Sequence, residues 1–98
     1  MSGNQPILGR NDTVTDEDLK ELSGLLTDEW RNVGRALGVD EATIQRLLAQ
    51  NVMNHREAIH QVLLKWKKDK GGDATNGVLA QVLREEGRTD LAEQMPSA

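Results

Sequence analysis

Apolar residues recur along this chain three or four positions apart, in six short runs separated by polar stretches. That spacing puts each run on one side of an α-helix, and no stretch alternates with the period of two that a half-buried strand requires. Leu19, Leu22, Leu25 and Leu26 define a first helix. Thr15 offers its N-cap with Asp18 three residues on, and Asp16, Glu17 and Asp18 suit the positive end of the helix dipole. Thr27 is the expected cap of a second helix, which carries Trp30, Val33 and Leu37 on one face. Gly38 ends it by supplying a left-handed position. Asp40 opens a third helix with Ile44, Leu47 and Leu48 inward. Asn54 with Glu57 opens the fourth and longest, whose inward set is Ile59, Val62, Leu63 and Trp66. Leu64 breaks that pattern and reads either as an ordinary surface leucine or as a contact residue. Gly71 and Gly72 stop the helix. Asp73 or Thr75 caps a fifth bearing Val78, Leu79, Val82 and Leu83, which ends at Gly87. Thr89 caps a short sixth with Leu91, Ala92 and Met95, and Pro96 marks its end.

Six narrow apolar stripes joined by loops of a few residues are buried most simply in an all-α antiparallel bundle. Residues 1–14, polar and without periodicity, read as a flexible lead-in; residues 15–95 form the bundle, and 96–98 a short tail. Composition sharpens this picture. The chain has 98 residues, enough for one domain, with 37% hydrophobic and 29% charged residues, the balance of a soluble globular fold. Trp30 and Trp66 are its only aromatic residues, so the core is otherwise aliphatic and the two indoles anchor it. Cysteine is absent, no apolar run approaches the ~20 residues of a membrane span, and the first ten residues lack the apolar stretch of a signal peptide. The expected setting is cytosolic, as a protein or as the cytosolic part of a larger or membrane-anchored one.

The net charge of −4 argues against non-specific binding to nucleic acid. Its distribution says more. Residues 12–29 hold seven acids against Lys20, a balance of −6; residues 54–70 carry +3, and residues 73–98 carry −3. The molecule reads as a multipole with opposed patches. Catalytic and cofactor chemistry finds no support. His55 and His60 stand five apart and share no helix face, no thiol completes a metal site, and Ser23 has no base and orienter in view. The glycines fall at helix ends and in no phosphate-cradling arrangement. No metal, nucleotide or other cofactor is implied.

The order of parts carries a resemblance. Trp30-x-x-Val33-x-Arg35-x-Leu37-Gly38 is followed by Ile44 and by Ile59-x-x-x-Leu63-x-x-Trp66. Then come Gly72-Asp73-Ala74-Thr75-x-x-x-Leu79-x-x-x-Leu83 and Gly87-Arg88-Thr89-Asp90-Leu91-Ala92-Glu93. Taken together, from about Asp16 to Met95, these resemble a death domain. Related caspase-recruitment, death-effector and pyrin domains share the bundle but usually lack the tryptophan pair. The resemblance implies a six-helix Greek-key bundle that binds other death domains homotypically to assemble an apoptotic or innate-immune signalling complex. It implies Trp30, Leu37, Ile59, Leu63, Trp66, Leu79 and Leu83 as core anchors.

It also implies several asymmetric contact surfaces. One joins helices one and four to helices two and three of the next molecule. A second joins the end of helix four to the loop between helices five and six. A third joins helix three to neighbouring loops. On the second, Lys65, Lys67, Lys68, Lys70 and Asp73 would face Glu85, Glu86, Arg88 and Asp90 of another copy. On the first, Arg31 and Arg35 would meet acids such as Asp16, Glu17 and Glu21. A plainer reading stands beside each: lysines at a helix C-terminus and carboxylates at an N-terminus already satisfy the helix dipole. Two further function classes are a helix-turn-helix-like nucleic-acid binder using Arg31, Arg35, Arg46 and the lysines, and a passive helical packing domain of a larger protein.

Overall fold

The computed structural model describes residues 12–94. Six helices follow one another: α1 (Asp16–Ser23), α2 (Trp30–Ala36), α3 (Glu41–Gln50), α4 (His55–Lys70), α5 (Asn76–Glu85) and α6 (Thr89–Gln94). A single 3-10 turn, Gly71–Asp73, links α4 to α5. The described residues form no strand beyond one isolated bridge, so the fold is all-α as the periodicity predicts.

Local chemistry sets most boundaries. Thr15, Asp40, Asn54 and Thr75 each accept a hydrogen bond from the backbone amide three residues on, satisfying an N–H that the helix leaves open. Gly38 and Gly87 have φ of 102° and 82°, and each closes its helix with paired turn bonds. Gly38 N donates to Arg35 O while Val39 N donates to Gly34 O. Gly87 N donates to Arg84 O while Arg88 N donates to Leu83 O. Residues with a Cβ adopt this conformation only with strain.

Two expected caps are not realised. The Thr27 hydroxyl donates to Glu29 Oε1 at 2.7 Å, which folds the approach to α2 into a turn, and the helix begins at Trp30 without a side-chain cap. Thr89 is already helical: the carbonyl of Arg88 accepts from the amides of Leu91 and Ala92, so Arg88 and not Thr89 stands at the start of α6.

Helix α4 is the hub, packing against α1, α2 and α3, while α5 packs against α2 and α6. Its inward residues Ala58, Ile59, Val62, Leu63 and Trp66 are all buried, as are Trp30, Leu37, Leu79 and Leu83 on the helices around it. The close approach of α2 to α4 depends on Gly34: a Cβ there would lie 3.0 Å from Val62 Cγ1 and 3.4 Å from Ile44 Cδ1. Four apolar positions depart from the expected pattern. Helix α1 stops at Ser23, so Leu25 sits in a turn, 44% exposed, and Leu26 continues the core instead. Val78, in the first turn of α5, is equally exposed because Leu79 takes the inward direction. On α3 only Ile44 is fully buried; Leu47 and Leu48 pack on the core at half-burial.

The largest departure is at Val14, which belongs to the core rather than to a flexible lead-in. Thr13 bridges Thr75, Val14 N donates to Ala74 O at 2.9 Å, and Asn76 N donates to Asp12 O at 2.9 Å. Those bonds insert Val14 into the core at 1% exposure, a pairing 60 residues apart in sequence that no helical period can reveal. The rest of the expected lead-in, Met95 of the expected sixth helix, and residues 96–98 lie outside the described residues.

Candidate interaction surfaces

The charged residues singled out from the sequence fall on four parts of this frame. The lysines occupy the last turns of α4, where cations oppose the negative end of the dipole. They are not equivalent. Lys67 Nζ donates to Asp16 Oδ1 at 2.7 Å, tying α4 to the start of α1. That hydrogen bond and the lysine charge hold the Asp16 carboxyl below its ordinary range. Lys65 pairs with Asp69 one turn on at 3.1 Å. Lys68 and Lys70 make no ion pair among the described residues. Asp73 is exposed in the 3-10 turn beyond them.

Arg31 and Arg35 project from α2 and converge on Glu41 of α3, at 3.8 and 2.7 Å. Arg31 also lies 5.5 Å from the Trp30 ring centroid, and Arg35 donates to Asn32 as well. The Glu41 carboxyl is lowered by hydrogen bonds from Gln45 and Arg35. All three charged side chains remain more than 40% exposed. The cluster is therefore ordered yet still presented to solvent. Glu17 and Glu21 stand exposed on α1 without ion pairs among the described residues, as do Glu85 and, less exposed, Glu86 at the end of α5.

Arg88, which the resemblance implies for a partner surface, is engaged within the chain. Its guanidinium donates to both oxygens of Asp90 at 3.1 Å, to a Glu29 carboxylate oxygen, and to the Leu25 carbonyl at 3.5 Å. It thus joins the α5–α6 turn to the loop before α2. These bonds, to Asp90 first and Glu29 next, raise the Arg88 pKa and lower that of Asp90. At Glu29, burial pushes the carboxyl up, but hydrogen bonds from Arg88, Thr27 and the backbone outweigh it and the net shift is down. Glu29 was not singled out from the sequence, because its partner lies 59 residues away.

A feature absent from the sequence reading lies between α3 and α4. Arg46, Leu47, Gln61, Leu64, Lys65 and Lys68 line an open groove of about 180 Å³. Only Leu64, which breaks the inward pattern of α4, hints at it in the sequence.

A sequence profile described as Death domain matches residues 16–98. The chain belongs to the death-domain family. Its six helices are the death fold, and death domains are non-catalytic protein-interaction modules. The chain is 32% identical over 68 residues to mouse tumor necrosis factor receptor superfamily member 10B, covering 69% of this chain and 18% of that protein. It is also 32% identical over 89 residues to human receptor-interacting serine/threonine-protein kinase 1, covering 89% of this chain and 13% of that one. The death domain described here thus spans less than a fifth of either relative's length. No helix among the described residues is long and apolar enough to cross a membrane.

Proposed function

We propose that this death domain binds other death domains homotypically and thereby assembles a signalling complex of the apoptotic or innate-immune type, without catalysing a reaction. The observation that carries this reading is the disposition of charges of opposite sign at the surface of separate elements. Lys65, Lys68, Lys70 and, through its link to Asp16, Lys67 mark the end of α4, with Asp73 beyond. Glu85, Glu86 and Asp90 mark the α5–α6 region; Arg31 and Arg35 mark α2, and Glu17 and Glu21 mark α1. Complementary fields of this kind steer encounter, fix register and exclude wrong partners. Arg88 serves the same surface indirectly, by fixing the turn that presents Glu86 and Asp90. A cytosolic site of action, within a longer or membrane-anchored protein, fits the likeness to part of a receptor and part of a kinase.

The nucleic-acid reading is disfavoured by the net charge and by acids flanking every basic patch. The test is capture of purified death domains, those of the two relatives included, by the immobilised chain at low and near-physiological salt. Salt-sensitive capture that Glu85→Lys/Glu86→Lys reduces at least tenfold, with an unchanged melting temperature, is expected. No capture of any death domain, itself included, would leave only the passive packing role.

A further inference from the structure

Leu47 of α3 and Leu64 of α4 pack on the core yet stay half-buried, and they floor the groove whose walls carry Arg46, Gln61, Lys65 and Lys68. On α4 the lining residues recur at i, i+3, i+4 and i+7, a stripe about 10 Å long on the helix's outward side. Among the described residues Lys65 pairs with Asp69 of its own helix, whereas Arg46 and Lys68 make no ion pair. An aliphatic floor walled by cations fits a segment that offers carboxylates beside an aliphatic side chain.

The chain carries such a segment. Glu17 and Glu21 lie one turn apart on α1, about 6 Å along the axis, both exposed and without ion pairs among the described residues. Leu25 follows at i+8, 44% exposed where α1 has turned off. Of the other two acids of the first turn, Asp16 is committed to Lys67 and Asp18 is only partly exposed, while Leu19 and Leu22 face the core. Lys65 and Lys68 are about 4.5 Å apart along α4, a spacing that two carboxylates on one helix face can meet.

We propose that the α3–α4 groove receives the Glu17–Glu21–Leu25 stripe of a second copy of this chain. The inference rests on the reading of the domain as an interaction module and names one of its surfaces. It differs from the pairing of the α4 end with the α5–α6 turn, and it seats Glu17 and Glu21 on the α3–α4 groove instead of on Arg31 and Arg35. Both halves sit on every molecule at different places, so the contact is heterologous and extends head to tail, into a ring or an open chain according to the rotation between copies.

Two variants test it by light scattering at low salt: Arg46→Gln/Lys68→Gln blunts the groove, and Glu17→Gln/Glu21→Gln blunts the stripe. Wild type is expected to grow in mass with concentration, and each variant to stay near the 10.8 kDa of one chain with an unaltered melting curve. An equimolar mixture of the two retains one intact groove and one intact stripe. It is expected to form a complex of twice that mass that does not grow further. A mixture that stays monomeric, a variant that assembles like wild type, or a wild type that stays monomeric overturns the proposal. In each of those cases, capture of other death domains by wild type would leave the interaction-module reading standing.

Discussion

The two faces of α4 differ in composition as sharply as any two regions of the molecule. Inward, Ile59, Val62, Leu63 and Trp66 are each at most 2% exposed and touch helices on three sides. Outward, Gln61, Leu64, Lys65 and Lys68 line an open groove. One helix therefore carries both the centre of the fold and a large share of its candidate recognition surface. The difference teaches that substitutions on this helix should separate cleanly into those that cost stability and those that cost association.

The largest break is expected on the inner face. Trp66→Ala removes the largest fully buried side chain and should cost about 3–5 kcal/mol; Leu63→Ala should cost about 2–5 kcal/mol. For a domain marginal by nature, either loss would show as a much lowered melting temperature or outright unfolding by circular dichroism. A wild-type melt for Trp66→Ala would show that the inner face does not hold the bundle. Gly34→Leu should act on the same face from outside it. It forces a side chain into the 3.0 Å approach to Val62, for an overpacking cost of about 1–3 kcal/mol measured by urea unfolding.

Smaller and pH-dependent effects are expected from Arg88, a charged residue that belongs with the structural face of this division. Glu29 has its carboxyl held below the ordinary value of 4.5, and Asp90 below 3.8. A carboxyl lowered on folding contributes stability that is present above its unfolded pKa and is lost as pH falls through its folded one. Wild type should therefore lose melting temperature progressively below about pH 4.5. Arg88→Gln should lower the melt at neutral pH and flatten that acid slope, because the groups then titrate more nearly alike in both states. An unchanged slope would show that the corner contributes nothing to folding. The smallest stability effect is expected for Lys68→Gln on the outer face, with the melt within error of wild type, since exposed charges contribute little. Its association should nonetheless weaken.

How much of this was legible in the sequence depends on the range of the interaction concerned. Caps at Thr15, Asp40, Asn54 and Thr75 and the glycine stops at Gly38 and Gly87 act within a turn, and residue type and spacing reveal them. The buried set followed from helical period, failing at Leu25 and Val78, where a helix end and a first turn shift the inward direction. Contacts across the chain were invisible: Val14 enters the core through a bridge to Thr75, and Arg56 donates to the Lys20 carbonyl at the end of α1. The charge patches were visible as runs, but the internal commitments of Lys67 to Asp16 and Arg88 to Glu29 were not, since 51 and 59 residues separate them. Charges alike in sequence thus divide into those paired across the fold and those without an ion pair among the described residues.

Homotypic association is tested most directly by the solution mass of the purified wild-type chain. It would be followed by light scattering across concentration, at low and near-physiological salt, alone and mixed with the death domains of its relatives. Mass that grows with concentration or on mixing, and that salt suppresses, is the predicted result, because exposed charges are screened over about 8 Å at physiological ionic strength. A single chain of 10.8 kDa under every condition and in every mixture would contradict it.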